Sequence, residues 1–199
     1  RRRLVVTAGV VSLIDIFDRN AYSHDPRTQF MNWALITHGS FDFAADARGY
    51  TRGGAVEWID EGWALRAGRF AMARESNGLP LNPALGRSHG DQVEFESSTM
   101  LAGQRGTWRA LFWRNRAVMG RYDDAIAAAA ATGGDPAVAD VRRDQRKWGW
   151  GLSIEQALGR WGGFFARYGR GPDRAETYSY TEIGRSASAG LLIDGSLWG

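Results

Sequence analysis

The stretch GYTRGGAVEWIDEGWALRAGRFAM, residues 49–72, decides the fold predicted for this chain. Apolar residues alternate with charged or small ones on both sides of a polar step at Asp60–Glu61. Period-two alternation around a short polar step is typical of an antiparallel β-hairpin. With Asp60–Glu61 as a two-residue turn, we predict that Trp58 lies opposite Trp63 on an apolar face.

The other pairs of this predicted hairpin fall on two different faces. Val56 lies opposite Leu65 on the apolar face, whereas Glu57 lies opposite Ala64 on the charged face. Arg66 is then within diagonal reach of Glu57. An apolar face and a charged face indicate a sheet whose two sides have different surroundings.

The same alternation recurs along the chain and predicts an all-β, antiparallel architecture. About eight strands are predicted, near residues 3–12, 48–59, 62–73, 91–101, 106–117, 143–157, 160–170 and 177–194. Short and longer connections alternate without exception: 13–47, 60–61, 74–90, 102–105, 118–142 and 158–159, followed by a medium one at 171–176. This asymmetry is typical of transmembrane β-barrels of the outer membrane.

Tryptophans lie beside the short connections, where Trp58, Trp63, Trp108 and Trp161 are all found. Indole rings favour the interface between membrane and water, so these residues are predicted to form a belt at one interface. The long connection 118–142 is predicted to carry a short helix at 123–132. That helix is predicted to have Asp123 or Asp124 as its N-cap and to stop at Gly133–Gly134.

Composition excludes several classes of protein. The chain has 26 Gly, 9 Trp and no Cys, which excludes a disulfide framework and a cysteine-based zinc site. No apolar run reaches the roughly 18 residues of a transmembrane helix. The net charge of +3 is too small to indicate nucleic-acid binding.

Several phrases resemble the carbohydrate-selective porin (OprB) family of the bacterial outer membrane. They are DIFD at 15–18, HDPRTQF at 24–30, NWAL at 32–35, ADARGYT at 45–51, WALRAGRF at 63–70, NRA at 115–117 and TEI at 181–183. The resemblance implies a sixteen-stranded barrel through which sugars such as glucose diffuse passively. Residues 1–199 are then expected to be a single partial barrel domain, a fragment of about half of it.

The resemblance also sets the expected partners. The expected partners are carbohydrate solutes and outer-membrane lipid, and no nucleic acid is expected. The family also implies a possible homotrimer. No catalytic residue, cofactor or metal site is expected, and His24, His38 and His89 lack the spacing of metal ligands.

A sugar channel needs polar groups that face a water-filled lumen and a constriction. Candidate pore-lining residues on the charged face are Glu57, Arg66, Glu94, Glu96, Arg109, Lys147 and Glu155. Loop 13–47 is the predicted constriction, with Asp18, Asp25 and Arg27 as its candidate residues. Phe70 is a candidate for stacking against a sugar ring.

Three alternatives remain open at this level. A soluble β-rich carbohydrate-active enzyme could use paired carboxylates, such as Glu94 with Glu96 or Asp15 with Asp18. A nucleic-acid binder could use the basic and aromatic segment at 142–148. A barrel with a structural or adhesive role differs from a porin only in whether its lumen is open.

The two faces predict an asymmetric response to substitution. Val56→Arg or Leu65→Arg should lower the free energy of unfolding of the full-length protein in lipid by roughly 2–4 kcal/mol. Glu94→Gln, on the charged face, is expected to cost little. Urea titration of both classes in vesicles tests this, and equal losses would contradict the assignment of the faces.

Overall fold

The computed structural model describes residues 2–179 and 181–198. Eight strands form one antiparallel sheet, each paired with the next along the chain: β1 (Arg3–Val11), β2 (Thr51–Asp60), β3 (Trp63–Ala71), β4 (His89–Leu101), β5 (Gln104–Met119), β6 (Arg143–Ala157), β7 (Gly162–Arg170) and β8 (Arg185–Ile193). The prediction of an all-β antiparallel architecture is confirmed. Tyr180, which falls in the strand predicted at 177–194, lies outside the described residues.

The turn between β2 and β3 differs from the prediction by one position. Asp60 pairs with Trp63, so the turn residues are Glu61 and Gly62, and Trp58 lies opposite Leu65 instead of Trp63. Gly62 has a φ of 80°, a conformation that glycine adopts without the steric cost a side chain carries. Because the turn lies one residue later than predicted, each residue of β2 pairs with a β3 residue two positions further along the chain. Side chains two positions apart on a strand share a face, so every side chain keeps its predicted face.

The last strand is shorter than predicted. It spans Arg185–Ile193, whereas the alternation predicted 177–194. The backbone N–H groups of Tyr178 and Ser179 donate to the Asp42 Oδ1 atom, each at 2.7 Å, and therefore do not extend β8. The connection after β7 is accordingly the long segment 171–184. The other strands end within a few residues of their predicted limits.

Two short helices interrupt the long connections. Helix α1 (Trp33–Ile36) begins after Asn32, whose side chain accepts a hydrogen bond from the Ala34 N–H. Helix α2 (Tyr122–Thr132) ends at Gly133, which has a left-handed φ of 73°. The predicted Asp N-cap of α2 is wrong: Arg121 precedes the helix.

Both aspartates of α2, Asp123 and Asp124, instead lie in its first turn. Negative charge there is stabilised by the positive end of the helix dipole.

The two faces of the sheet have opposite character. The outer face, defined by Val56, Leu65 and Val93, leaves 43–45% of these apolar side chains exposed. The inner face, defined by Arg66 and Glu94, is polar and buried. A sheet that exposes its apolar side and covers its charged side suits surroundings that are less polar than water.

An aromatic row runs along the outer face near the short turns. The ring of Trp63 lies 6.3 Å from that of Trp58 and 6.2 Å from that of Phe95. Phe95 lies 5.3 Å from Trp108 on the next strand. Trp161, beside the third short turn, is 53% exposed.

The connection between β1 and β2 covers the inner face. We call residues 12–50 the inner loop. Its Phe17 meets Phe70 of β3 edge-to-face at 6.2 Å, and its Phe41 meets Trp113 of β5 at 6.2 Å. The hydrophobic core therefore lies between the inner loop and the sheet.

The packing of this core predicts that Phe17 holds the inner loop against the sheet. Phe17→Ala should lower the free energy of unfolding by about 3–5 kcal/mol, because the fully buried ring would leave a cavity. Limited trypsin digestion of the folded full-length protein should also cut the inner loop faster. Met31→Ala, on the same loop at an 87% exposed position, is the matched control. Equal digestion rates for the two variants would contradict this role of Phe17.

Candidate functional site

Strand register aligns the charged residues of the inner face in two rows. Glu57 pairs with Arg66, and Arg66 pairs with Glu94, so three neighbouring strands place these side chains side by side. Glu96 pairs with Arg109 in a second row. Alternating signs on adjacent strands favour direct ion pairs across the sheet.

Arg66 bridges three carboxylates. Its Nε atom lies 2.8 Å from Glu57 Oε2, and its Nη1 atom lies 3.0 Å from Glu94 Oε1 and 3.1 Å from Glu96 Oε2. Its planar guanidinium offers several donors in a fixed geometry, which suits such bridging. The predicted proximity of Glu57 and Arg66 is confirmed. The two residues are directly opposite each other, whereas the prediction made them diagonal neighbours.

Arg109 extends this network toward β6. Its Nε atom lies 2.8 Å from Glu96 Oε2, and its Nη1 atom lies 3.1 Å from Glu155 Oε2. Glu96 therefore joins Arg66 to Arg109. We call Glu57, Arg66, Glu94, Glu96, Arg109 and Glu155 the wall network.

The wall network holds the backbone of the inner loop. Glu94 Oε2 accepts a hydrogen bond from the Asp18 N–H at 2.7 Å. Glu155 Oε2 accepts one from the Ala21 N–H, also at 2.7 Å. A buried carboxylate requires such donors, since an unpaired charge there is strongly destabilising.

Asp18 is a second centre of charge, between the inner loop and β7. Its Oδ1 atom lies 2.8 Å from His38 Nδ1 and 3.6 Å from Arg167 Nε. Burial raises the pKa of Asp18, but His38 and Arg167 outweigh this effect, and the pKa lies below its ordinary value. Arg167 also donates to Leu35 O at 2.7 Å and to Asp18 O at 3.1 Å, which ties two parts of the inner loop together.

Small residues on β6 let the inner loop approach closely. A Cβ atom on Gly151 would lie 2.6 Å from the ring of His38. His38 Nε2 is 2.9 Å from Leu152 O. Glycine at position 151 therefore allows the loop to dock with His38 directly against the strand.

Lys147 belongs to a separate cluster. Its Nζ atom lies 2.5 Å from Asp42 Oδ2 and 2.6 Å from Glu176 O. Asn115 donates to the same Asp42 Oδ2 atom at 3.2 Å. This cluster fixes the inner loop to the segment that precedes β8, because Asp42 also accepts from the Tyr178 N–H.

Asp25 and Arg27 lie outside the wall network, the Asp18 centre and the Lys147 cluster. Asp25 accepts from the Arg27 N–H and the Thr28 hydroxyl, each at 2.9 Å, in a local turn. Arg27 is exposed on the loop surface. Phe70 is fully buried against Phe17, so its proposed stacking on a sugar is wrong.

Sequence reasoning missed three residues of the site: His38, Asp42 and Arg167. Arg167 carries a usable signal, since it alternates with outward-facing residues on β7. His38 and Asp42 carry none, because they lie in an irregular loop and meet partners more than a hundred residues away.

The wall network is largely covered by the inner loop. Side-chain exposure is 1% for Glu94, 6% for Arg66 and 8% for Arg109, and rises to 16% for Glu57 and 18% for Glu96. Glu94 and Glu155 bind the loop to the sheet, and Glu57 and Glu96 keep part of their surface exposed.

The described part of the chain contains no group of three or more His, Asp or Glu side chains arranged to hold a metal ion. None of its helices is both long and apolar enough to cross a membrane.

These contacts change the expected cost of Glu94→Gln, so this substitution no longer separates the two faces of the sheet by its cost. Since Glu94 binds both Arg66 and the Asp18 N–H, we now expect the substitution to cost about 1.5–3 kcal/mol. Glu182→Gln, at an exposed position in segment 171–184, is the control and should cost little. Urea unfolding of the full-length protein measures both, and equal midpoints would show that Glu94 does not hold the loop.

Comparison with known proteins supports the same architecture. Among solved structures, the high-pH structure of Pseudomonas putida OprB is similar to this chain, with a TM-score of 0.70 and 18% sequence identity. The match covers 97% of this chain and 46% of that one, so this chain spans about half the length of the similar structure. No curated protein matches.

A family model described as "Carbohydrate-selective porin, OprB family" matches residues 1–199. The match covers the sheet, the inner loop and the wall network together. The eight-stranded sheet has the fold of the OprB porin barrel. The family is one of the bacterial outer membrane. This chain belongs to the carbohydrate-selective porin (OprB) family.

Proposed function

We propose that this chain supplies about half of a sixteen-stranded barrel through which carbohydrates diffuse passively. The observation that carries this proposal is the opposite character of the two faces in a chain matched throughout by the porin family. An exposed apolar face suits lipid, and a covered polar face suits a lumen that is narrowed by a loop. Segments 12–50 and 120–142 are the proposed loops, the first as the constriction.

The remaining half of the barrel would close the two edges of the sheet. Within the described residues, β1 pairs only with β2, and β8 pairs only with β7. An unpaired strand edge in lipid costs several kcal/mol for each unsatisfied backbone group. Partner strands are therefore required for a stable pore.

The candidate pore residues divide into two groups with different proposed roles. The wall network positions the constriction, and its partly exposed members Glu57 and Glu96 reach the water-filled space. Asp25 and Arg27, on the surface of the inner loop, would meet passing solutes directly. Hydroxyl-rich solutes can exchange water for such polar groups without binding tightly.

A carbohydrate-active enzyme is less favoured by the geometry. The paired carboxylates Glu94 and Glu96 both bind Arg66, and Glu94 is covered by the inner loop. A glycosidase needs two carboxyl groups on either side of an accessible bond. We propose a channel without catalytic residues or cofactor, whose partners are sugars and outer-membrane lipid. A homotrimer is proposed on family grounds alone.

Planar-bilayer recordings on the full-length protein test the channel. We expect discrete conductance steps that added glucose partly blocks, and a change in that block for Arg66→Gln and Arg109→Gln because the constriction shifts. Arg105→Gln, at an exposed position beside a short turn, is the matched control and should behave as the wild type. Insertion without conductance would contradict the proposal.

A further inference from the structure

A group of arginines that the channel does not use lies near the long loops, three of them on the outer face and one in segment 171–184. We call Arg146, Arg170, Arg174 and Arg185 the arginine cluster. All four side chains are exposed and line one cavity of about 620 Å³. The cavity lies between segment 171–175 and the ends of β6, β7 and β8, and Trp148 and Trp150 of the outer face also line it.

Register brings two members of the cluster directly together. Arg170 pairs with Arg185 on β8, and on its other side it pairs with Trp150 on β6. Like charges at directly opposite positions of a sheet repel each other. An anion placed between the two guanidinium groups would remove that repulsion.

Three other arginines on the outer face, Arg69, Arg114 and Arg116, have carboxylate partners. Asp91 lies 2.6 Å from both Arg69 and Arg114, and Asp144 lies 2.6 Å from Arg116. No carboxylate lies within 4.0 Å of the cluster's guanidinium groups in the part of the chain that the structure describes. The cavity has a single acidic lining residue, Asp173, among those described.

Aromatic rings form the side of the cavity nearest the centre of the sheet. Trp148 stacks on Phe112 with ring centroids 6.0 Å apart, and Trp150 lies 5.6 Å from Tyr168. Trp148 is 60% exposed on the outer face. The site is therefore cationic toward the loops and aromatic toward the proposed membrane interior.

We propose that this cavity binds the phosphate groups of a glycolipid in the outer leaflet. Guanidinium groups bind phosphate oxygens with two parallel hydrogen bonds, and exposed indole rings pack against sugars and the upper acyl chains. Long loops lie on the outer side of such barrels, so the cluster reaches the outer headgroups. This assignment rests on the proposed membrane orientation of the chain.

Native mass spectrometry of the full-length protein in detergent, titrated with diphosphoryl lipid A, tests the site. We expect binding that Arg170→Gln with Arg185→Gln weakens at least about tenfold, since two charge-assisted contacts are lost. The matched control is Arg105→Gln with Arg160→Gln, which removes the same charge beside the short turns. The control should bind within about twofold of wild type, because Arg105 and Arg160 lie outside the cavity.

A second measurement needs no variant. Wild-type protein should bind lipid A stripped of its phosphates at least about tenfold more weakly than the diphosphoryl form. Equal binding of the two lipids, or equal losses in both double variants, would overturn the proposal. Displacement of the lipid by an equal concentration of inorganic phosphate would show that the cavity binds free phosphate and not the phosphate groups of a glycolipid.

Bilayer conductance separates this site from the channel. Arg170→Gln with Arg185→Gln should leave the conductance steps and their glucose block unchanged, because both residues lie on the outer face. A full-length protein that binds lipid A but never conducts would contradict the proposed channel and leave the glycolipid site standing. A loss of conductance in this variant, with lipid binding retained, would overturn the assignment of the cluster to lipid.

Discussion

Covering the charges of the inner face is the constraint on which the rest of this structure depends. Glu94 and Arg66 are buried, and removing one partner from such a pair leaves an uncompensated charge. The Asp18 N–H supplies a further donor to Glu94. The position of the inner loop and the ion pairs of the sheet therefore stabilise each other, and neither is expected to persist alone.

Alternation in the sequence was sufficient to predict the two faces, because a strand reverses the direction of its side chains at every residue. It could not give the pairing of the first hairpin, which depends on the positive φ of Gly62. It also overextended β8, since the backbone of Tyr178 hydrogen-bonds to Asp42 rather than to β7. Both errors arise where a local pattern is overridden by a conformation or contact that the pattern does not encode.

The candidate site was predictable only in part, for a similar reason. Glu57 and Arg66 share a face by counting along two adjacent strands, so their ion pair follows from sequence. His38 meets Asp18 and the Leu152 carbonyl only after the loop has folded onto β6. Such contacts require the tertiary position of the loop, which no periodicity describes.

The inner loop also changes how effects on permeation should be interpreted. A residue such as Arg66 has little exposed surface, so its removal acts mainly through the position of the loop. Arg27 is exposed on the loop and donates a hydrogen bond from its backbone N–H to Asp25, so removing its side chain would change the charge of the proposed passage without moving the loop. The first kind of substitution should change stability and permeation together, and the second should change permeation alone. In the proposed channel, a constriction held by buried ion pairs can therefore vary its surface without losing its position.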